Sequence, residues 1–109
     1  MALAEWVTVA KVGDLKDNDM MMVTVGAEEI LLAQVSGKYF AIDNWCTHAG
    51  GMLDQGILHI DNVEVECPLH EGYFHLESGA ARLPPAEEDI IAYDVRVEGD
   101  DILIGPKGA

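Results

Sequence analysis

Four side chains that bind soft metals fall in two short segments, Cys46-Thr47-His48 and Cys67-Pro68-Leu69-His70, with eighteen residues between them. Each segment offers one thiolate and one imidazole, and the two mirror each other. A tetrahedral zinc ion could take all four, but zinc modules usually group Cys with Cys and His with His at wider spacing. The single residue between Cys46 and His48 is tight for chelating one ion. It suits two metals a short distance apart, each drawing one ligand from each segment. A two-iron, two-sulfide cluster with thiolates on one iron and imidazoles on the other makes that demand.

Elements of period two must position these segments. Trp6-Val7-Thr8-Val9 is a short β-branched run, broken by the polar stretch Asp14 to Asp19. Met20 to Val25 and Glu29 to Val35 are strand candidates joined at Gly26-Ala27, and Ser36-Gly37-Lys38 turns the chain into Tyr39-Phe40-Ala41-Ile42. Near the other end Ile90 to Val97 alternates, Glu98-Gly99-Asp100 turns, and Asp101 to Ile104 pairs back. Short strands at this spacing predict an all-β fold with an antiparallel sandwich or barrel as its base. From Asn44 to Asp89 the alternation weakens while Gly50-Gly51, Gly56, Gly72, Gly79 and Pro84-Pro85 accumulate. A loop-rich insertion of that length in a compact β domain is uncommon unless it carries function or is tied down. All four candidate ligands lie inside it.

The two paired motifs resemble the cluster loops of a Rieske iron–sulfur domain. Arg82-Leu83-Pro84-Pro85-Ala86 is similar to the family's proline-containing third loop, and the β-rich flanks fit its base, so the resemblance covers nearly the whole chain. It implies one Rieske domain over 1–109, with base strands in about 1–43 and 90–109 and a cluster-binding part in about 44–89. It implies one [2Fe-2S] cluster per chain, with Cys46 and Cys67 on an inner iron and His48 and His70 on an outer iron near the surface. Neutral imidazoles in place of two thiolates raise the reduction potential above that of an all-Cys cluster. Membrane-bound respiratory members carry an extra Cys in each loop; here those places fall to Gly51 or its neighbours and to Leu69. Gly72 and Phe74 stand where the high-potential members place hydroxyl donors. Fewer hydrogen bonds to sulfur imply a potential near the low end of the Rieske span, roughly −150 mV. The ferredoxin branch is the one implied.

Charge and composition agree. The chain has 109 residues, half of them apolar, and a formal net charge of −14. A domain of this size buries about two thirds of its unfolded surface, enough for a core without staples. The acidity weighs against nucleic acid and anionic lipid as partners. No apolar run approaches a membrane span, and the first residues lack a basic start, so a cytoplasmic protein is expected. Between Lys38 and Arg82 there is no Lys or Arg, whereas Asp43, Asp54, Asp61, Glu64, Glu66, Glu71 and Glu77 lie there. Such a face would attract a basic patch on a partner and lose that attraction in salt.

Several conspicuous residues have plainer uses. His59 and His75 read as structural, with His75 on a strand beside Phe74. Met20-Met21-Met22 looks like a copper lure, but alternating strand faces would divide it into core filler. Trp6 and Trp45 read as core aromatics, with Trp45 also placed to shield the site. Glu87-Glu88-Asp89 reads as a solvated loop.

By resemblance, the expected function is that of a soluble, monomeric one-electron carrier and not an enzyme. It would dock transiently with a flavin-dependent ferredoxin reductase and pass electrons to a terminal oxygenase that hydroxylates aromatic rings. The rivals are a fixed Rieske-like subunit of a larger reductase, such as nitrite reductase, a structural zinc module, and a Cys–His nucleophile. The last needs only one activated thiol, which two matched loops exceed.

Overall fold

The computed structural model describes residues 5–46, 51–69, 72–83 and 89–106, and within them every strand pairing is antiparallel. The strands are β1 (Val7–Lys11), β2 (Asp19–Val25), β3 (Glu28–Val35), β4 (Lys38–Asp43), β5 (Ile57–His59), β6 (Glu64–Glu66), β7 (Tyr73–His75), β8 (Ala81–Leu83), β9 (Ala92–Glu98) and β10 (Asp101–Gly105). Six form one sheet in the order β1-β10-β9-β4-β3-β2, and β5-β6-β7-β8 form a second. The edges β1 and β2 of the large sheet approach each other, so it curls toward a barrel. Among the described residues no helix is long and apolar enough to cross a membrane.

Two-residue turns set the register of the large sheet. Val35 pairs with Lys38 across Ser36 (φ 50°) and Gly37 (φ 84°), the doubly positive geometry whose twist matches a β-hairpin. Ser36 pays steric strain for its place there, and the turn is held from outside. Its amide donates to Asn18 Oδ1 at 2.9 Å, and that of Gly37 donates to Asp17 Oδ1 at 2.8 Å. The polar break at 14–19 is therefore a clamp on the β3–β4 turn.

Strand β3 is buried on both faces. Ile30 and Leu32 point into one apolar cluster with Leu15, Val23, Ala41, Tyr93, Ile102 and Ile104. Leu31, Ala33 and Val35 point into another with Ile42, Val65, Phe74, Leu76 and both cysteines. Such a strand reads as an unbroken apolar run, which is why Ile30-Leu31-Leu32-Ala33 lacks alternation. Full burial of each large aliphatic stabilises by about 1.5–3 kcal/mol. The pairs Lys11–Asp101 and Arg96–Glu98 lie exposed to solvent, which screens them, and contribute little beside that burial. The two-sided strand, not surface charge, holds the fold. Met20 and Met21 pack against opposite clusters, as the alternation predicted.

The segment expected to be loop-rich holds four strands of three residues each. Three residues are too few to show a period, so the sequence displays only the glycines between them. Leu58, Val65 and Phe74 face the large sheet, and this second layer rests on β3.

Where β4 leaves the large sheet, the Tyr93 hydroxyl donates to Asp43 Oδ1 at 2.5 Å. Burial raises the Asp43 carboxyl above its ordinary range, and the Tyr93 bond opposes that rise. Burial and the same carboxylate push the Tyr93 hydroxyl well above its usual range. Tyr93→Phe removes the opposing bond, so the Asp43 pKa should climb further. A carboxyl raised in the folded state loses stability as pH rises from its unfolded toward its folded pKa. The variant should therefore be less stable by about 1 kcal/mol at pH 7 and by less at pH 4. Denaturant unfolding at the two pH values checks this; an equal loss at both would contradict it.

Candidate metal centre

Cys46 follows the end of β4 by three residues, and Cys67 follows β6 directly. Each opens a loop closed in the same way. The Cys46 amide donates to the Gly51 carbonyl at 2.8 Å, and the Cys67 amide to the Gly72 carbonyl at 2.7 Å, five residues on in both cases. The mirror symmetry of the motifs is thus a symmetry of backbone closure. In sequence His48 and His70 fall between the closing residues of these loops, but both lie outside the described residues; so do Pro84 to Glu88, which include part of the expected third loop and two of its acidic neighbours.

The two loops meet at a glycine. A Cβ on Gly51 would sit 3.1 Å from Cys67 Sγ and 3.1 Å from Leu69 Cγ, so the first loop returns directly beside the second thiol. A second close approach prepares it: a Cβ on Gly56 would fall 1.9 Å from the Glu66 carbonyl oxygen, one residue before Cys67. Only a bare Cα lets the chain leaving the first loop run that close to the strand entering the second.

Neither cysteine forms a disulfide, and both are buried, at 4 and 1 % exposure. They belong to the same apolar cluster as Leu53, Val65 and Phe74. An isolated thiolate is costly in such surroundings, and an unligated buried thiol is inert. Thiolate bound to ferric iron has its charge neutralised on the spot, so this donor environment fits an iron–sulfur group.

Trp45 corrects the sequence expectation. It is 46 % exposed and not a core residue. Exposure alternates through Asn44, Trp45 and Cys46, with the first and third inward, so the indole must face out. Its Nε1 donates to Glu29 Oε1 at 2.7 Å, and its backbone bridges to Met52. Trp6 is half-buried, packed on the bare Cα of Gly105 and under the Arg96 guanidinium at 4.3 Å. Leu69, at 59 % exposure, stands between Cys67 and His70 on the second loop.

The other histidines have protein partners. His59 Nε2 lies 2.8 Å from Glu66 Oε1, and its ring is 5.1 Å from that of Tyr73. The His59 bond holds the Glu66 carboxyl below the ordinary range, against a smaller push from burial and with help from the Tyr73 hydroxyl. His75 Nδ1 lies 3.4 Å from Ser78 Oγ. Asp89 accepts the Ala81 amide at 2.9 Å and so ties its loop to β8.

Sequence reasoning missed Gly56 as a contact and missed the side chain of Asn44, whose fully buried amide bonds Asp54. The glycine accumulation was a signal for the first. Nothing in the spacing of Asn44 and Asp54 distinguishes them from loop residues.

A family model described as the Rieske [2Fe-2S] domain matches residues 5–94. The chain is 34 % identical over 100 residues to the ferredoxin component of the naphthalene 1,2-dioxygenase system of Pseudomonas aeruginosa, covering 92 % of this chain and 94 % of that one. Its fold is similar to that of the ferredoxin of carbazole 1,9a-dioxygenase from Nocardioides aromaticivorans IC177. The TM-score is 0.89, at 36 % identity, over 95 % of this chain and all (100 %) of the other. A ferredoxin solved in a complex of reduced oxygenase and oxidised ferredoxin of carbazole 1,9a-dioxygenase gives a TM-score of 0.85 at 25 % identity, over 95 % of this chain and 97 % of that one.

Gly56→Ala should push β5 from β6 at the entry to the second loop, destabilise by about 1–3 kcal/mol and lower the iron content of the purified protein. Gly13→Ala, with nothing within 4 Å of its added Cβ, serves as the control. Equal melting temperatures and iron contents in the two variants would contradict the role assigned to this contact.

Proposed function

The chain belongs to the Rieske [2Fe-2S] domain family, and on that premise we propose that Cys46 and Cys67 hold one iron of its cluster and His48 and His70 the other. It is a Rieske-type ferredoxin, an electron carrier and not itself the catalytic component. The cluster supplies reversible one-electron chemistry when bound. The single observation that carries the ligand assignment is the matched closure of two loops, each opening on a buried thiol, brought together where Gly51 abuts Cys67.

The protein's own residues then do three things. The two apolar layers keep water from the thiolates, whose exchange and oxidation need access. The large sheet fixes the first loop and the small sheet the second. Leu69 and Trp45 flank the loops with exposed apolar surface, and the acidic surroundings set long-range attraction to a partner.

The proposed partners are a flavin-dependent ferredoxin reductase as donor and a terminal aromatic-ring-hydroxylating oxygenase as acceptor. The chain would meet both as a cytoplasmic monomer in short-lived complexes. The relatives described above, ferredoxin components of dioxygenase systems, favour this shuttle over a fixed reductase subunit. One domain over 1–109, with a base in 1–43 and 90–109 and a cluster-binding part in 44–89, completes the proposal.

Reconstitution provides the test. The purified chain is added to the reductase and oxygenase components of the naphthalene 1,2-dioxygenase system in place of their own ferredoxin. Naphthalene oxidation should depend on the added chain, and its rate should fall as salt shortens the screening length below about 10 Å. A chain that is reduced by dithionite yet supports no turnover would overturn the shuttle assignment. A salt-independent rate would remove the role of the acidic face.

A further inference from the structure

The described part of the chain holds one fully buried polar side chain, that of Asn44, and no buried side-chain polar atom lacks a partner. Its bonds all serve one end. The Asn44 amide donates to the Glu29 carbonyl at 3.0 Å, which fixes the residue to β3. Its carbonyl accepts the Leu53 amide at 2.7 Å. Its side chain makes a reciprocal pair with Asp54: Nδ2 donates to Asp54 Oδ1 at 2.7 Å, and Oδ1 accepts the Asp54 amide at 2.9 Å. Three bonds therefore cross from a residue just before Cys46 to the turn Leu53–Gln55 just after the loop.

We propose that Asn44 is a positioning residue for the cluster, whose reciprocal pair with Asp54 closes the base of the first loop and so sets where Cys46 and the returning Gly51 stand against Cys67. The inference rests on the assignment of Cys46 as a ligand. A polar pair with one member buried, as Asn44 is, contributes specificity more than net stability, because an apolar side chain would fill the same space without fixing a register. Here the register matters. A slip between 44–46 and 51–54 would carry Gly51 away from Cys67, and bringing Met52 into its place would crowd Cys67 Sγ and Leu69, which already stand 3.1 Å from a Cβ built on Gly51. Asp54 needs only an acceptor oxygen and its backbone amide, so its negative charge is dispensable to the pair.

The test compares five variants with the wild-type protein as isolated, by the rate at which a ferrous-iron chelator strips the cluster and by the EPR spectrum of the reduced protein. Asn44→Ala and Asp54→Ala should lose the cluster roughly tenfold faster or more and alter the spectrum, the size expected for residues that orient metal ligands. Asp54→Asn should behave as wild type, because both bonds of the pair survive. Leu15→Ala removes a buried side chain from the other apolar cluster, remote from the thiols, and controls for lost stability. Should Asn44→Ala strip no faster than Leu15→Ala at matched thermal stability, or leave the spectrum unchanged, the inference is overturned. Cys46→Ala reports the ligand assignment separately: if it retains the cluster, that assignment falls and the inference with it. If it loses the cluster while Asn44→Ala does not, the inference falls alone.

Discussion

The fold depends on the middle of β3, Ile30 to Ala33, having no solvent face. A strand apolar on one side needs one covering layer; this one needs two, and both are present. Ile30 and Leu32 close the curled sheet, while Leu31, Ala33 and Val35 form the floor for β5 to β8. The small sheet has strands of only three residues, and its apolar side chains pack into the cluster that β3 shares. It is held because it covers apolar surface that would otherwise face water. The cysteines sit in that same layer, so the packing that stabilises the fold also shields their thiols from water.

Burial alone would place two thiols in one layer without bringing them to a common point. Directional contacts do that. The closures of Cys46 on Gly51 and Cys67 on Gly72 give the loops equal span, the bare Cα of Gly56 allows an approach that any side chain would block, and that of Gly51 eases the contact with Cys67. Polar bonds near each cysteine, Asn44 with Asp54 and Glu66 with His59, fix the entries to the loops. Apolar packing supplies most of the stabilisation, and a few hydrogen bonds and glycines determine the geometry.

What the sequence disclosed follows from this division. The hairpins of the large sheet were legible because their strands are five to eight residues long and their turns carry Gly26, Ser36-Gly37 and Gly99. The two loops that open on buried thiols were legible as Cys46 and Cys67 because metal-binding chemistry restricts residue type. The small sheet was not, since Ile57–His59 or Tyr73–His75 shows too few positions for a period. Trp45 was misassigned because an aromatic beside a buried Cys suggests core, whereas the inward Asn44 and Cys46 on either side turn it outward. The pair of Asn44 and Asp54 left no sequence signal, because its partners are joined by the course of a loop and not by a repeat.

Whether each matched loop contributes one thiolate and one imidazole can be read by electron–nuclear double resonance on the dithionite-reduced protein, prepared with natural-abundance and with nitrogen-15 histidine. Two imidazole nitrogens bound to one iron should give couplings that both shift on labelling. A spectrum with no histidine nitrogen bound to iron would contradict the ligand assignment.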